Sequence, residues 1–187
     1  MRRGRSEISE MGAFAAVEMN LDGSGAATAS TGSGFMDHML NSMAKLGSID
    51  IRASAGGNSL YRYSLLGSAI GASLDQTLGD RSGIRRYGFA AIPMDDALAE
   101  VALDLGGRAY LVMRGSFNGE RIGDLNTFEI KAVLMGITDR GRLTLHVRFY
   151  GENDHHIAES IFKALGLAIR NAVEPGAAGV LSTKGVI

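Results

Sequence analysis

The sequence predicts an α+β chain of two pseudo-symmetric halves, each a sheet carrying helices on one face. Two observations predict it. Segments in which apolar and polar residues alternate are interleaved with segments whose apolar residues recur every three or four positions. The order of these segments also repeats within the 187 residues. Gly47-Ser-Ile-Asp-Ile aligns with Gly141-Arg-Leu-Thr-Leu 94 positions later. Leu60-Tyr-Arg-Tyr-Ser-Leu-Leu-Gly-Ser-Ala-Ile-Gly aligns with His155-His-Ile-Ala-Glu-Ser-Ile-Phe-Lys-Ala-Leu-Gly 95 positions later. One domain over 1–187 follows, with repeats 1–94 and 95–187 packed into a single core.

Taken in order, residues 13–20 and 26–31 flank Leu21-Asp-Gly-Ser-Gly, where an Asp-Gly pair reads as the tight turn of a hairpin. Met36, Met39, Leu40, Met43 and Leu46 then form a helical stripe that Gly47 is expected to stop. Ile49 and Ile51 alternate as in a half-buried strand, and a helix over about 62–78 is closed by Gly79. In the second half Val101, Leu103 and Leu105 alternate up to Gly106-Gly107, and 108–113 is expected to return as the partner strand. A helix bearing Ile130, Val133, Leu134 and Ile137 and a strand from Leu143 to Phe149 follow. A last helix over about 155–173 carries Ile157, Ile161, Leu165 and Ile169 on one stripe, and Pro175-Gly176 ends it.

Composition narrows the function. Hydrophobic residues make up 45% and charged residues 21%, enough apolar material for a packed core. A net charge of −1 excludes nucleic-acid binding by massed phosphate neutralisation. No apolar run is long enough to span a membrane, and the basic start Met1-Arg-Arg-Gly-Arg leads into no signal-type segment. The absence of cysteine excludes disulfides, zinc ribbons, iron–sulfur clusters and thiol nucleophiles, and fits cytoplasmic residence.

Imidazole chemistry must come from His38, His146, His155 and His156. The sharpest arrangement is Asn153-Asp-His-His-Ile-Ala-Glu at the start of the last helix. Residues three and four apart share a helix face, so Glu159 can converge with His155 or His156. Two imidazoles and a carboxylate suit Mn, Fe or Zn. The competing reading is a polar helix start with two solvated histidines. Asp154 would serve as N-cap or as acceptor for an imidazole N–H. Taken alone, His38 reads as structural and His146 as a packed or hydrogen-bonded strand residue.

Several ordered motifs together resemble imidazoleglycerol-phosphate dehydratase of histidine biosynthesis. They are Thr31-Gly-Ser-Gly-Phe-Met-Asp-His-Met-Leu, Leu78-Gly-Asp-Arg-Ser-Gly-Ile-Arg-Arg-Tyr-Gly and Pro93-Met-Asp-Asp-Ala-Leu-Ala. Ala102-Leu-Asp-Leu-Gly-Gly-Arg-Ala-Tyr-Leu, Gly123-Asp, the Asn153–Glu159 motif and Ser182-Thr-Lys-Gly-Val complete the set. The resemblance implies two halves, each a four-stranded sheet with two helices. It implies a site of two manganese ions that bind the substrate's imidazole while a ring-adjacent proton moves and a hydroxyl leaves, giving imidazole-acetol phosphate and water. On this resemblance His38, His155, His156 and Glu159 are metal ligands, with Glu159 and His38 also catalytic. Arg86, Arg108, Lys163, Ser182, Thr183 and Lys184 hold the phosphorylated substrate. It further implies a large homo-oligomer of cubic symmetry whose metal ligands come from more than one subunit, with no nucleic-acid or membrane partner.

The chain departs from the family in one half. Where the family carries a second His-His-x-x-Glu-Asp, this sequence has Leu60, Tyr61, Ser64 and Leu65. Ala132 replaces the second-half mate of His38, and Leu46 replaces another histidine. At the N-terminal Glu-Thr register stands Gly12, with Glu10 nearby. By the family's pairing, one metal keeps His38, His155 and Glu159 and loses a ligand to Tyr61, whereas the other keeps only His156. The expectation is therefore a dehydratase with one manganese per subunit rather than two, or with none, or one completed by a different partner chain. The alternative is a catalytically impaired paralogue serving as a phosphate-ligand-binding or assembly subunit. A binding protein without chemistry and an unrelated metallohydrolase built on His38, His155 and Glu159 are the remaining readings.

Overall fold

The computed structural model describes residues 2–182. The chain runs β1 (Arg3–Glu10), β2 (Ala13–Asn20), β3 (Ala27–Ser30), α1 (Gly34–Gly47), β4 (Asp50–Gly57) and α2 (Ser59–Leu78). The second half runs β5 (Tyr87–Met94), β6 (Ala97–Asp104), β7 (Tyr110–Arg114), β8 (Arg121–Ile122), β9 (Leu125–Asn126), α3 (Thr127–Gly141), β10 (Thr144–Tyr150) and α4 (Asp154–Val173). Two four-stranded sheets result, in the orders β1-β2-β4-β3 and β5-β6-β10-β7. The order is the same once β10 is matched to β4, and the short β8–β9 pair stands apart from both sheets. A division at 94/95 passes through the turn of the β5–β6 hairpin.

In β2 the odd residues Ala13, Ala15, Val17 and Met19 are buried, and Ala97, Ala99, Val101 and Leu103 do the same in β6. This period-2 pattern turns one face of each sheet toward the helices and leaves the other exposed. α2 lies on β1 and β2, and α4 lies on β5 and β6. The halves then join helix to helix, α1 against α4 and α2 against α3, with a sheet on either outer side. The stripe Met36, Met39, Leu40 and Met43 is fully buried in this layer, as its spacing predicts. No helix among the described residues is long and apolar enough to cross a membrane.

The hairpins differ from expectation. β2 and β3 do not pair; β4 lies between them, antiparallel to β2 and parallel to β3. The Asp22–Gly25 segment is a crossing loop fixed over the head of β4, where Asp50 Oδ1 accepts the N–H groups of Ser24 at 2.8 Å and Ala26 at 3.1 Å. β6 and β7 are separated in the same way by β10. Parallel neighbours need a crossover, and α1 and α3 supply it. The true hairpin of the first half joins β1 and β2 through Met11 and Gly12, both at positive φ.

Gly47 also plays another part than a stop. The left-handed residue that ends α1 is Ser48, at φ 50°. Gly47 instead meets α4: a Cβ on it would lie 3.0 Å from Gly166 O, and one on Gly166 would lie 2.1 Å from Met43 O. These glycines let the backbones of α1 and α4 touch. At the far end of the molecule buried Arg81 ties three segments together. Its guanidinium donates to Leu105 O at 3.1 Å, Arg142 O at 3.0 Å and Gly141 O at 2.9 Å, and pairs with Asp75.

Candidate metal centre

α4 begins at a fixed place because two acceptors hold its first turn. Asn153 accepts the N–H of His155 at 2.9 Å. Asp96, in the β5–β6 turn, accepts the N–H groups of Glu152 at 2.6 Å and Asn153 at 2.8 Å. Anions at a helix start are favoured by the exposed N–H groups there. The helix so placed turns His155 and Glu159 toward α1, and α1 presents His38.

The three meet. Glu159 Oε2 lies 3.2 Å from His38 Nε2 and 3.4 Å from His155 Nε2. Their ligand atoms all lie within 4.8 Å of one another, the one such group among the described residues. The other carboxylate oxygen, Oε1, takes Lys163 Nζ at 2.9 Å and the Ser42 hydroxyl at 3.4 Å. Phe35 packs its ring edge-on against His155, with centroids 5.1 Å apart. Burial of Glu159 opposes ionisation, but Lys163 and His38 outweigh it and bring the carboxyl down to about 2. The carboxylate is nearly enclosed while the two imidazoles are close to half exposed, so the group is open on one side. Two imidazoles and an ionised carboxylate converging in this way fit one divalent transition-metal ion.

His156 is not brought into this group. Its Nδ1 bonds Asp96 Oδ1 at 2.6 Å, and its Nε2 lies 3.4 Å from Asp95 Oδ2. The Asp96 bond raises the imidazole's pKa and, with the two backbone N–H groups, holds Asp96 below the usual carboxylate range. His146 is exposed on the outer face of β10 rather than packed.

The expected phosphate-binding residues fall in two places. Lys163 stands at the metal group. Arg86 lies at the opposite end of α4, where its backbone N–H bonds Ala172 O at 2.9 Å. From Glu159 to Ala172 the helix rises roughly 20 Å. The Arg86 guanidinium is engaged bidentately by Asp104, at 2.6 and 2.9 Å, and donates to Leu181 O. Arg108 is exposed in the neighbouring β6–β7 loop. Ser182 adjoins Leu181, whereas Thr183 and Lys184 lie outside the described residues.

Among the described residues, no group of three ligand-type side chains forms at the pseudo-symmetric counterpart of the metal group. Ser64, Ala132, Tyr110, Lys131 and Met135 help line a groove of about 660 Å³ there. Leu60, at 69% exposure, stands on the adjoining turn of α2. Sequence reasoning missed Asp96 and Ser42 as site-supporting residues. Asp96 was visible as part of Pro93-Met-Asp-Asp, but nothing local shows that this turn reaches the head of α4.

A family model described as imidazoleglycerol-phosphate dehydratase matches residues 31–169. The chain is 45% identical over 175 residues to the imidazoleglycerol-phosphate dehydratase of Methanococcoides burtonii, covering 91% of this chain and 92% of that one. It is 41% identical over 192 residues to the Methanosarcina barkeri protein of the same name, covering the whole of both. Among solved structures it resembles the dehydratase of Staphylococcus aureus, with a TM-score of 0.84 and 28% identity over 93% of this chain and 99% of that one. The Pyrococcus furiosus enzyme in complex with (S)-C348 matches with a TM-score of 0.79 and 29% identity, over 97% of this chain and 100% of that one.

Proposed function

The chain belongs to the imidazoleglycerol-phosphate dehydratase family, a hydro-lyase family of histidine biosynthesis, and we propose that it carries out this dehydration with one metal ion per subunit. The single observation that carries the reading is the meeting of His38, His155 and Glu159 around one point. These three residues would hold the metal, assigned as manganese. When bound, it supplies Lewis-acid stabilisation of charge developing on the substrate's imidazole. The reaction removes one hydrogen and one hydroxyl as water and leaves a ketone.

The chain's own groups do the rest. Lys163 neutralises one oxygen of Glu159 and so aims the other at the imidazoles. Glu159 and His38 are assigned as catalytic through the ion they would hold, since the Oε2 and Nε2 atoms that bind a metal must be free of protons. Arg86, Arg108, Ser182, Thr183 and Lys184 are assigned to the phosphate dianion, a task suited to guanidinium and ammonium donors. His156 stands outside this group, and its Nδ1 bond to Asp96 leaves Nε2 as the nitrogen for the ligand role assigned to it.

A site assembled from two copies of the chain is part of the same reading. A small phosphorylated substrate cannot bridge the roughly 20 Å between Glu159 and the Arg86 end of α4 within one chain. Exposed Tyr110 and Met135, which line one groove, support self-association, since exposed apolar side chains grouped on one surface mark contact sites. Residence in the cytoplasm fits a cysteine-free biosynthetic enzyme.

The test is turnover of imidazole-glycerol phosphate by the purified protein, with the metal content measured on the same sample. Imidazole-acetol phosphate formed at about one bound metal per chain is the expected result, because one ligand group is present. Two tightly bound ions per chain would overturn the one-metal reading. Phosphate-ligand binding without turnover would replace it by the assembly-subunit reading, which the loss of ligand residues at Leu60, Tyr61, Ser64 and Ala132 favours.

A further inference from the structure

The two halves differ most between the third strand and the helix that follows it. In the first half only residues 31–33 separate β3 from α1, whereas in the second residues 115–126 separate β7 from α3. Connections of this length exceed the usual few residues inside a compact domain, and the second-half segment carries the short β8–β9 pair. This one is anchored. Leu125 is fully buried and Ile122 nearly so, and Phe117 packs on Phe149 of β10 with ring centroids 5.2 Å apart.

Its polar contacts go to two helix starts. The carboxylate of Asp154, the first residue of α4, accepts the N–H of Asn118 at 2.8 Å and of Gly119 at 2.7 Å. Asn118 Nδ2 donates to the same carboxylate at 3.1 Å and to Glu152 O at 3.0 Å. At the β8–β9 turn the carboxylate of Asp124 reaches α1. It accepts the Ser33 hydroxyl at 2.6 Å and the Gly34 N–H at 2.9 Å. Ser33 is the N-cap of α1, where it accepts from Met36 N. Asp124 thus bonds both the cap and the first helical N–H.

These helices carry the metal group: His38 lies one turn into α1, and His155 lies next to Asp154. At the other end of their contact the backbones touch through Gly47 and Gly166. A pair of helices pinned at one end can still splay at the other, and here the ligands sit at the open end. We propose that residues 115–126 are a strap that ties the starts of α1 and α4 and so sets the spacing of the metal ligands, with Asp124 as its positioning residue. The proposal rests on the reading of His38, His155 and Glu159 as one metal set. Groups that orient ligands typically change metal affinity about 10–100-fold when removed.

The test is Co2+ titration into metal-free protein, for wild type, Asp124→Ala, Asp124→Asn and Ser73→Ala, with amide hydrogen exchange of residues 34–38 followed in the absence of metal. Ser73 donates a buried hydroxyl bond to Val17 O in the first half, away from the strap, and reports a general loss of stability. Asp124→Ala is expected to weaken Co2+ binding about 10–100-fold and to speed exchange over 34–38. Asp124→Asn, which can still accept one of the two donors, is expected to lose less, and it carries the test if the alanine variant does not fold. Ser73→Ala is expected to keep wild-type affinity. Equal affinity in wild type and Asp124→Ala, or an equal loss in Ser73→Ala, overturns the strap. A wild type that binds no Co2+ overturns the metal reading instead.

Discussion

Glu159 is where the chemistry of single residues is most exposed to test. Its carboxyl loses water contact and would on that account be harder to ionise, yet Lys163 and His38 bring it down to about 2 from an ordinary value of 4.5. A group whose folded value is depressed contributes stability above its unfolded value, and that contribution is lost as pH falls through the folded value. In metal-free protein, wild type should therefore exceed Glu159→Gln in unfolding free energy by its full amount just above pH 4.5. The difference should shrink between about 4.5 and 2 and vanish below, with a ceiling on the order of 3 kcal/mol. A pH-independent difference in urea titrations would show that Glu159 is not ion-paired as described. The pairing of His155 with Glu159 was legible from their i, i+4 spacing. The arrival of His38 was not, because it depends on α1 docking against α4. The direction of His156 was not legible either, since i, i+3 spacing allows it to face Glu159 and only the bond to Asp96 turns it away.

At the scale of elements, periodicity gave the four helices and the strands β2, β3, β4, β6, β7 and β10 close to their true places. It missed the edge strands β1 and β5, and the pairing of strands and the use of glycines escaped it. Asp22-Gly23 has the chemistry of a hairpin turn, and nothing in those residues reveals that Asp50 holds the loop across the end of β4. Gly47 has the look of a helix stop, yet it and Gly166 serve the contact of two helices. This yields a paired prediction. Gly166→Ala would place a Cβ 2.1 Å from Met43 O, so α1 must move off α4, at a cost of about 1–3 kcal/mol or more. The same shift would part His38 from Glu159 and weaken metal binding. Gly34→Ala, with nothing within 4 Å of the new Cβ, should stay within about 0.5 kcal/mol of wild type. Thermal unfolding of both variants checks the pair; equal stabilities would mean that the helices do not touch through their backbones.

For the molecule as a whole, pseudo-symmetry has been kept in the backbone and given up in the chemistry. Both halves retain the same strand order, but the metal group stands only where α1 meets α4, and the matching face of α2 and α3 carries Leu60, Ser64 and Ala132. The repeat made the two-half architecture legible, and the missing histidines made the asymmetry legible. What no single sequence could show is that Glu159 and Arg86 lie toward opposite ends of α4. If each active site joins the metal group of one copy to the Arg86–Arg108 end of another, the two sets of residues can be supplied by different chains. His155→Ala and Arg108→Ala should each be inactive alone. Chains carrying one or the other, co-expressed and assembled together, should regain activity, because some sites draw an intact metal group from one variant and an intact Arg108 from the other. With random mixing about one quarter of sites are whole. Activity of the mixed assembly no greater than that of either variant alone would place the complete site within one chain, and the phosphate would then have to be held near Lys163 rather than at Arg86.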